Sequence, residues 1–211
     1  ARERQAMMTG RRQLMAQLML GVAVAAGGLP LSHALALGEN EASQHVRQSI
    51  EELLDLARSP GEAEAKAPRL LDIIERRAAM PQIARFAAGA NWRIMNEDQQ
   101  ARYVAAFGKF LSGVYARRFQ EYSETTAGEA FTMDGVIDAG RKGMLVKTSI
   151  TRQGAAPVLV EWLVSDQPGR VVIADIVIEG ISLLITQREE IGAMLEARGG
   201  NVEKLISDLG A

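Results

Sequence analysis

The chain has 211 residues, a formal net charge of -2 and no cysteine, with 24 Lys and Arg against 26 Asp and Glu. The lack of cysteine excludes disulfide bonds, thiolate catalysis and cysteine metal sites. Because the chain has no basic surplus and no run of more than two Lys or Arg residues, the composition argues against nucleic acid as a partner.

The first segment has the pattern of an export signal. Arg11 and Arg12 precede an apolar run from Leu18 to Leu31, and Ala34 to Ala36 form the small-x-small pattern that signal peptidase cleaves. Glycines and a proline interrupt the run, which is shorter than the ~20 apolar residues of a spanning helix, so an uncleaved anchor is the weaker alternative. We therefore expect a Sec or twin-arginine signal peptide over residues 1–36, cleaved near Ala36, and one domain over 37–211.

Three helices are predicted next. The first spans Ala42 to Arg58 and carries its apolar residues at helical spacing: Val46, Ile50, Leu53, Leu54 and Ala57. Pro68 is expected in the first turn of the second helix. Pro81 opens a third, short helix, and Gly89 ends it.

A longer helix follows a capping signal, in which Asn96 precedes Gln99 by three residues. One side of this helix carries six of the eight Phe and Tyr residues of the chain. That stripe comprises Tyr103, Phe107, Phe110, Leu111, Val114, Tyr115, Phe119 and Tyr122. We expect it to pack on the sheet as core, and any part that the sheet does not meet to line a cavity.

From Ala130 onward the apolar period changes to two, which indicates strands. Four runs alternate in this way, with turns near Gly140 and over Asp166 to Gly169. The apolar sides are Phe131, Met133, Gly135 and Ile137; Met144, Val146, Thr148 and Ile150; Val158, Val160, Trp162 and Val164; and Val172, Ala174, Ile176 and Ile178. Short connections predict an antiparallel meander of about four strands. With helices before and after it, the fold class is α+β, a curved sheet covered on one face by helices.

The segment from Val171 to Leu195 carries a family resemblance. A strand ends at Gly180 and an amphipathic helix follows, with these residues in order: Asp175, Ile176, Ile178, Glu179, Gly180, Ile181, Ser182 and Arg188. This order resembles the C-terminal signature of the MlaC family, the periplasmic phospholipid carriers, although Gln187 stands where an aromatic residue is common. A tryptophan before the long helix, here Trp92, is a further shared feature. The resemblance extends from about Ser43 to Leu209.

The resemblance implies a carrier in the periplasm that holds phospholipid acyl chains in an apolar cavity and shuttles them between membranes. Its implied partners are an outer-membrane lipoprotein complex and an inner-membrane ABC transporter with an MCE subunit, and its role is the maintenance of outer-membrane lipid asymmetry. No cofactor is implied besides the phospholipid cargo. The candidate lining combines the aromatic helix with the inner sheet positions: Trp92, Phe107, Phe110, Leu111, Val114, Tyr115, Phe119, Val146, Ile150, Val160, Trp162, Val164, Ile176 and Ile178. Two alternatives remain, a hopanoid as cargo and an adaptor whose apolar groove binds a protein segment.

Catalytic sites are not favoured by the sequence. His33 lies in the predicted signal and His45 is expected at the surface, so no histidine pair is available for a metal or a triad. The carboxylates of Asp138, Glu161 and Asp175 are interpreted as solvated strand residues, and the protein is predicted not to be an enzyme.

Arg188 has two interpretations. It either meets a lipid phosphate, or it pairs with Glu179 or caps a carbonyl at the turn. The second interpretation is favoured because exposed phosphates need little contact with protein.

Overall fold

The computed structural model describes residues 37–123, 130–151 and 156–211, with all their side chains except those of residues 119–123 and 130. The elements in order are α1 Glu39–Arg58, α2 Ala63–Arg77, α3 Met80–Ala88, a 3-10 helix Gly89–Ile94, α4 Glu97–Ser123, β1 Ala130–Asp138, a 3-10 turn Gly140–Lys142, β2 Met144–Thr151, β3 Val158–Gln167, β4 Arg170–Ile178, β5 Ile181–Ser182, α5 Leu183–Glu196 and α6 Val202–Leu209. The predicted signal over residues 1–36 and its cleavage point lie outside the described residues. In the part that is described, no helix is both long and apolar enough to cross a bilayer.

The strands form one antiparallel sheet in the order β1-β2-β3-β4-β5. The predicted meander is therefore confirmed, and the two-residue β5 adds a short edge after the Gly180 turn. The pairing register shifts in β1 between Met133 and Gly135 and again where β3 meets β4. An extra residue on one strand increases the local twist and bends the sheet. The α+β class and the cover of helices are confirmed.

The second register shift corrects the predicted faces of β4. Leu163 pairs with Asp175 and Val164 pairs with Ile173, so Ala174 is the extra residue. Ile173 therefore shares a face with Val164, whereas Val172 pairs with Ser165 on the opposite face. The prediction that Val172 and Ile176 lie on one side is wrong, because a strict period of two cannot reveal a bulge.

The register shift in β1 corrects a second predicted face. Val136 pairs with Val146 on the inner face, and Ile137 pairs with Leu145 on the opposite face. The prediction that Ile137 lies on the same side as Phe131 and Met133 is therefore wrong for the same reason.

Helix α1 lies on the inner face of the sheet, the face that carries Val160 and Trp162. Its Val46 and Ile50 are buried in one cluster with these two strand residues. The predicted stripe of the first helix is thus the side that the sheet covers.

The second helix starts earlier than predicted. It begins at Ala63, so Pro68 is its sixth residue and does not lie in the first turn. The early start has a tertiary cause, because Lys66 is buried and its Nζ donates a 2.9 Å hydrogen bond to the Ala57 carbonyl near the end of α1. That bond holds the first turns of α2 in place, and the exposed ring of Pro68 is tolerated on the solvent side.

The predicted start of the long helix is confirmed in detail. The Gln99 N–H donates to Asn96 Oδ1 at 2.8 Å, and the Asn96 N–H donates to Gln99 Oε1 at 3.0 Å. Two backbone N–H groups that the helix itself cannot satisfy are bonded by this reciprocal pair.

The aromatic stripe of α4 packs on helices over its N-terminal half. Tyr103 and Phe107 are fully buried and stacked, with ring centroids 5.8 Å apart. Their cluster contains residues of α3, α5 and α6 and no strand residue. The expectation that the stripe packs on the sheet is wrong for these two residues, since neighbouring helices bury them instead.

His45 is half-buried between α1 and the end of α2, which corrects its expected surface position. Its Nε2–H donates to the Arg77 carbonyl at 3.1 Å, and burial lowers the pKa of the imidazole below its ordinary value of 6.5. The unfolded chain therefore binds a proton as the pH falls past about 6.5, while the folded chain resists it, so the free energy of unfolding falls toward acid.

We expect His45→Gln to reduce this acid sensitivity, because the glutamine amide keeps a donor for the Arg77 carbonyl but does not titrate. The measurement is chemical denaturation between pH about 7.5 and about 5.5, a window that lies above the titration of the Glu52 carboxylate, whose pKa is lowered by its hydrogen bond with Arg77. Equal losses of stability in the variant and the parent chain would contradict this role of His45.

Candidate functional site

The inner face of the sheet brings the strand half of the predicted lining together. Val146, Val160, Trp162 and Val164 are buried there, and the half-buried Ile150 and Ile176 pack against them. The strand register explains this grouping, since Trp162 pairs with Val146 on one side and with Ile176 on the other. Residues opposite each other in adjacent strands project to the same face.

The polar groups of this face are satisfied internally. Trp162 Nε1–H donates to Thr148 Oγ1 at 3.0 Å, and the Thr148 hydroxyl donates to the Val160 carbonyl at 3.1 Å. Both side chains are buried, so neither polar group remains available to a ligand. The floor of the face is therefore apolar in its chemistry and suits a hydrocarbon.

Helix α1 does not cover this face completely. Ten apolar side chains around the buried cluster remain partly exposed: Leu53, Leu54, Phe131, Met133, Val136, Met144, Ile150, Val158, Val171 and Ile176. Apolar side chains that stay partly accessible around one cluster are a feature of binding surfaces. Sequence reasoning did not assign Leu53, Leu54 or Phe131 to the site. For the two leucines, the broad apolar stripe of α1 is the sequence feature that could have indicated the site. That stripe does not show which element of the fold the helix packs against.

The helical half of the predicted lining lies mostly in another cluster. Trp92, Phe107, Phe110 and Leu111 pack among α3, α5 and α6 and not with the strand residues. Trp92 meets Tyr103 edge to face, with ring centroids 6.4 Å apart.

The remaining predicted lining residues are placed differently. Tyr115 contacts the helical cluster and also a third cluster formed by α1, α2 and α4, while Val114 is half-buried. The side chain of Phe119 lies outside the described residues.

Apolar residues continue from the inner face to the edge of the sheet. Ile178 pairs with Val160 on one side and with Ile181 on the other, and it is 36% exposed. Ile181 and Ile185 are 64% and 53% exposed. Through its pairing with Ile178, Ile181 continues the partly exposed apolar residues of the inner face to the short edge strand.

The carboxylate of Asp175 joins β4 to the start of α5. It accepts hydrogen bonds from the Ser182 hydroxyl at 2.6 Å, the Leu184 N–H at 3.0 Å and the Ile176 N–H at 2.8 Å. Ser182 is also the N-cap of α5, because its Oγ accepts from the Ile185 N–H at 3.1 Å. Asp175 is thus a half-buried structural residue and not the solvated side chain that was expected.

Glu179 and Gly180 form the turn between β4 and β5, with φ angles of 49° and 81°. The Leu159 N–H donates to Glu179 Oε1, and the Glu179 N–H donates to the Leu159 carbonyl. Glu179 therefore continues the pairing with β3 through its side chain. Because only glycine adopts the left-handed region without cost, the turn accounts for Gly180 in the signature.

Arg188 does not make the predicted pair with Glu179. Its guanidinium carbon lies 4.9 Å from the centroid of the Phe86 ring, so it stacks on α3. Gln187, in place of the usual aromatic residue, is buried, and its Nε2 donates to Glu190 Oε2 at 3.2 Å.

The two other candidate carboxylates, those of Asp138 and Glu161, also have structural partners. Asp138 accepts from the Gly140 N–H at 2.7 Å, and Glu161 pairs with Lys147 across two strands at 3.2 Å. In the described ranges, no three His, Asp or Glu side chains are grouped so that they could hold a metal ion.

The fold and the inner face of the sheet together define a class of protein. It is a small α+β domain in which one helix crosses an apolar and partly accessible sheet surface. The family model of the MlaC protein matches residues 42–211, and the chain belongs to the MlaC family. A phospholipid-binding protein from Ralstonia solanacearum, solved in complex with a phospholipid, shares the fold at a TM-score of 0.64 and 20% identity. The match covers 80% of this chain and 94% of that one. A comparison with curated proteins finds no match.

Proposed function

We propose that this protein is a phospholipid carrier whose acyl-chain site is the inner face of the sheet beneath α1. The observation that carries the proposal is the set of ten partly exposed apolar side chains around Trp162 and Val160. Membership of the MlaC family and the phospholipid in the Ralstonia structure support phospholipid as the ligand class. A binding role is favoured over catalysis because Asp138, Glu161 and Asp175 all have structural partners.

Transferring one chain of about 16 carbons from water to this face is worth roughly 12 kcal/mol, at about 0.8 kcal/mol per methylene, before ordering costs. Spontaneous release of such a ligand is slow. A carrier therefore needs docking partners that open the site.

We extend the proposal to the cellular role that the resemblance implies. Residues 1–36 direct export, and residues 37–211 act as one lipid-binding domain in the periplasm. The docking partners are an outer-membrane lipoprotein complex and an inner-membrane ABC transporter with an MCE subunit. Shuttling between them maintains the lipid asymmetry of the outer membrane.

The protein purified from a bacterial host is expected to carry phospholipid close to one mole per mole. Organic extraction followed by mass spectrometry measures the amount and the lipid class. If the extracted lipid is a hopanoid and not a phospholipid, the protein is a hopanoid carrier. A co-purifying polypeptide with no lipid would favour the adaptor. A lipid-free protein that also takes up no phospholipid from vesicles would contradict the proposal.

A further inference from the structure

A cleft lies where α3, the 3-10 helix and α5 meet. Its volume is about 430 Å³, and it is lined by Gln82, Arg85, Phe86, Gly89, Ala90, Trp92, Arg93 and Arg188. Three of these residues are arginines, none is acidic, and none belongs to the sheet or to α1. We call this feature the arginine cleft.

One wall of the arginine cleft holds a guanidinium in a fixed place. Arg188 stacks on the ring of Phe86, with its central carbon 4.9 Å from the centroid. Gly89 lies beside it, and a Cβ at that position would be 3.5 Å from Arg188 Nη2. Gly89 has a φ of 60° and ends α3 directly beside the guanidinium. The guanidinium of Arg188 is therefore held in position in the absence of a ligand.

The arginines of the cleft lack counter-ions among the described residues. Other arginines of the chain have them, for example Arg77 with Glu52 and Arg102 with Glu203. For the side chains of Arg85, Arg93 and Arg188, no ion pair and no hydrogen bond forms with any residue of the described ranges. The chain as a whole has more acidic than basic residues. Three arginines without counter-ions around one cleft nevertheless create a local positive potential, which attracts an anion.

The chemistry of the cleft selects the kind of anion. A guanidinium presents paired N–H donors that match two oxygens of a phosphate, and arginine is the preferred residue for this bidentate contact. The aromatic walls of Phe86 and Trp92 provide contact area for a group attached to the phosphate. We propose that the arginine cleft binds a phosphate that carries a small organic group, as in a phospholipid headgroup at a bilayer surface or a soluble phosphate ester. This site is separate from the acyl-chain face.

The test uses the full mature chain and the two tryptophans as reporters. Trp92 lines the cleft, whereas Trp162 is buried on the inner face of the sheet. On titration with glycerol phosphate, the indole N–H resonance of Trp92 is expected to shift saturably in the millimolar range or below, and that of Trp162 is expected to stay in place. Arg85→Gln and Arg188→Gln should each weaken the affinity about tenfold. Arg85→Gln removes a charge without removing the stack on Phe86, so it tests the site even if Arg188→Gln alters the fold.

The matched control is Arg141→Gln, the same charge change at an exposed position in the 3-10 turn before β2. Sedimentation with phosphatidylglycerol vesicles separates the two sources of phosphate. Binding to vesicles that Arg85→Gln abolishes assigns the site to headgroups, and a Trp92 shift with glycerol phosphate but no sedimentation assigns it to a soluble ester. A Trp92 resonance that neither probe moves, or an equal loss in Arg141→Gln, overturns the proposal.

Discussion

Replacement of Ile176 by aspartate is expected to abolish phospholipid loading while the chain still unfolds cooperatively. Ile176 is half-buried on the inner face and pairs with Trp162, so its side chain contacts both the apolar floor and the accessible surface. In the lipid-free protein a carboxylate at this position still reaches water, and the cost to folding stays at about 1–3 kcal/mol. An acyl chain would have to bury that charge without a partner, which costs several kcal/mol, so we expect at least a tenfold loss of bound lipid, as an order of magnitude.

The measurement is extracted lipid per mole of protein, with thermal unfolding recorded in parallel. Ile137→Asp is the matched control, because Ile137 is an apolar strand residue, 49% exposed, on the other face of β1. It should retain its lipid. A substitution at Val160, which is 3% exposed, is unsuitable because a charge there is expected to unfold the protein. Equal lipid contents in Ile176→Asp and the parent chain would place the acyl-chain site elsewhere.

Replacement of Asp175 by alanine is expected to destabilise the fold by about 3 kcal/mol. Three donors lose their acceptor, including the Ser182 hydroxyl that caps α5 and the Leu184 N–H in its first turn. A hydrogen bond to a charged acceptor contributes about 1.5–3 kcal/mol, and the three are not additive because they share one carboxylate. In a domain of this size the loss corresponds to a decrease of roughly 6–12 °C in the unfolding midpoint.

Asp166→Ala is the control for this prediction. Asp166 is an exposed strand residue, and its carboxylate forms no hydrogen bond with any residue that the structure describes. Its replacement should change the stability by less than about 0.5 kcal/mol. If chemical denaturation gives similar free energies for the two alanine variants, the Asp175 network does not hold β4 to α5.

Family membership was accessible from the sequence because the signature residues act over a short stretch of chain. Asp175, Glu179, Gly180 and Ser182 lie within eight residues of one another, and together they form one turn and one helix cap. Interactions of this range leave a fixed spacing in the sequence. The capping pair of Asn96 and Gln99 was predictable for the same reason.

Only the strand residues of the candidate site were predictable from the sequence. Alternation placed Val146, Val160 and Trp162 on one face, and the structure brings them together. The same reasoning grouped Phe107 with them, because an apolar stripe is equally apolar against a sheet or against helices. The choice between these packings depends on where α3, α5 and α6 lie, and no local period encodes that position.

By itself, the sequence determined the helices, the antiparallel meander, the α+β class and the MlaC family, since periodicity, caps and turns act between near neighbours. Tertiary structure decided the bulge at Ala174, the stacking of Arg188 on Phe86 and the accessible apolar face left around α1. Each of these results from contacts between residues far apart in the chain, whose free energy depends on packing geometry and not on the order of residues within one element.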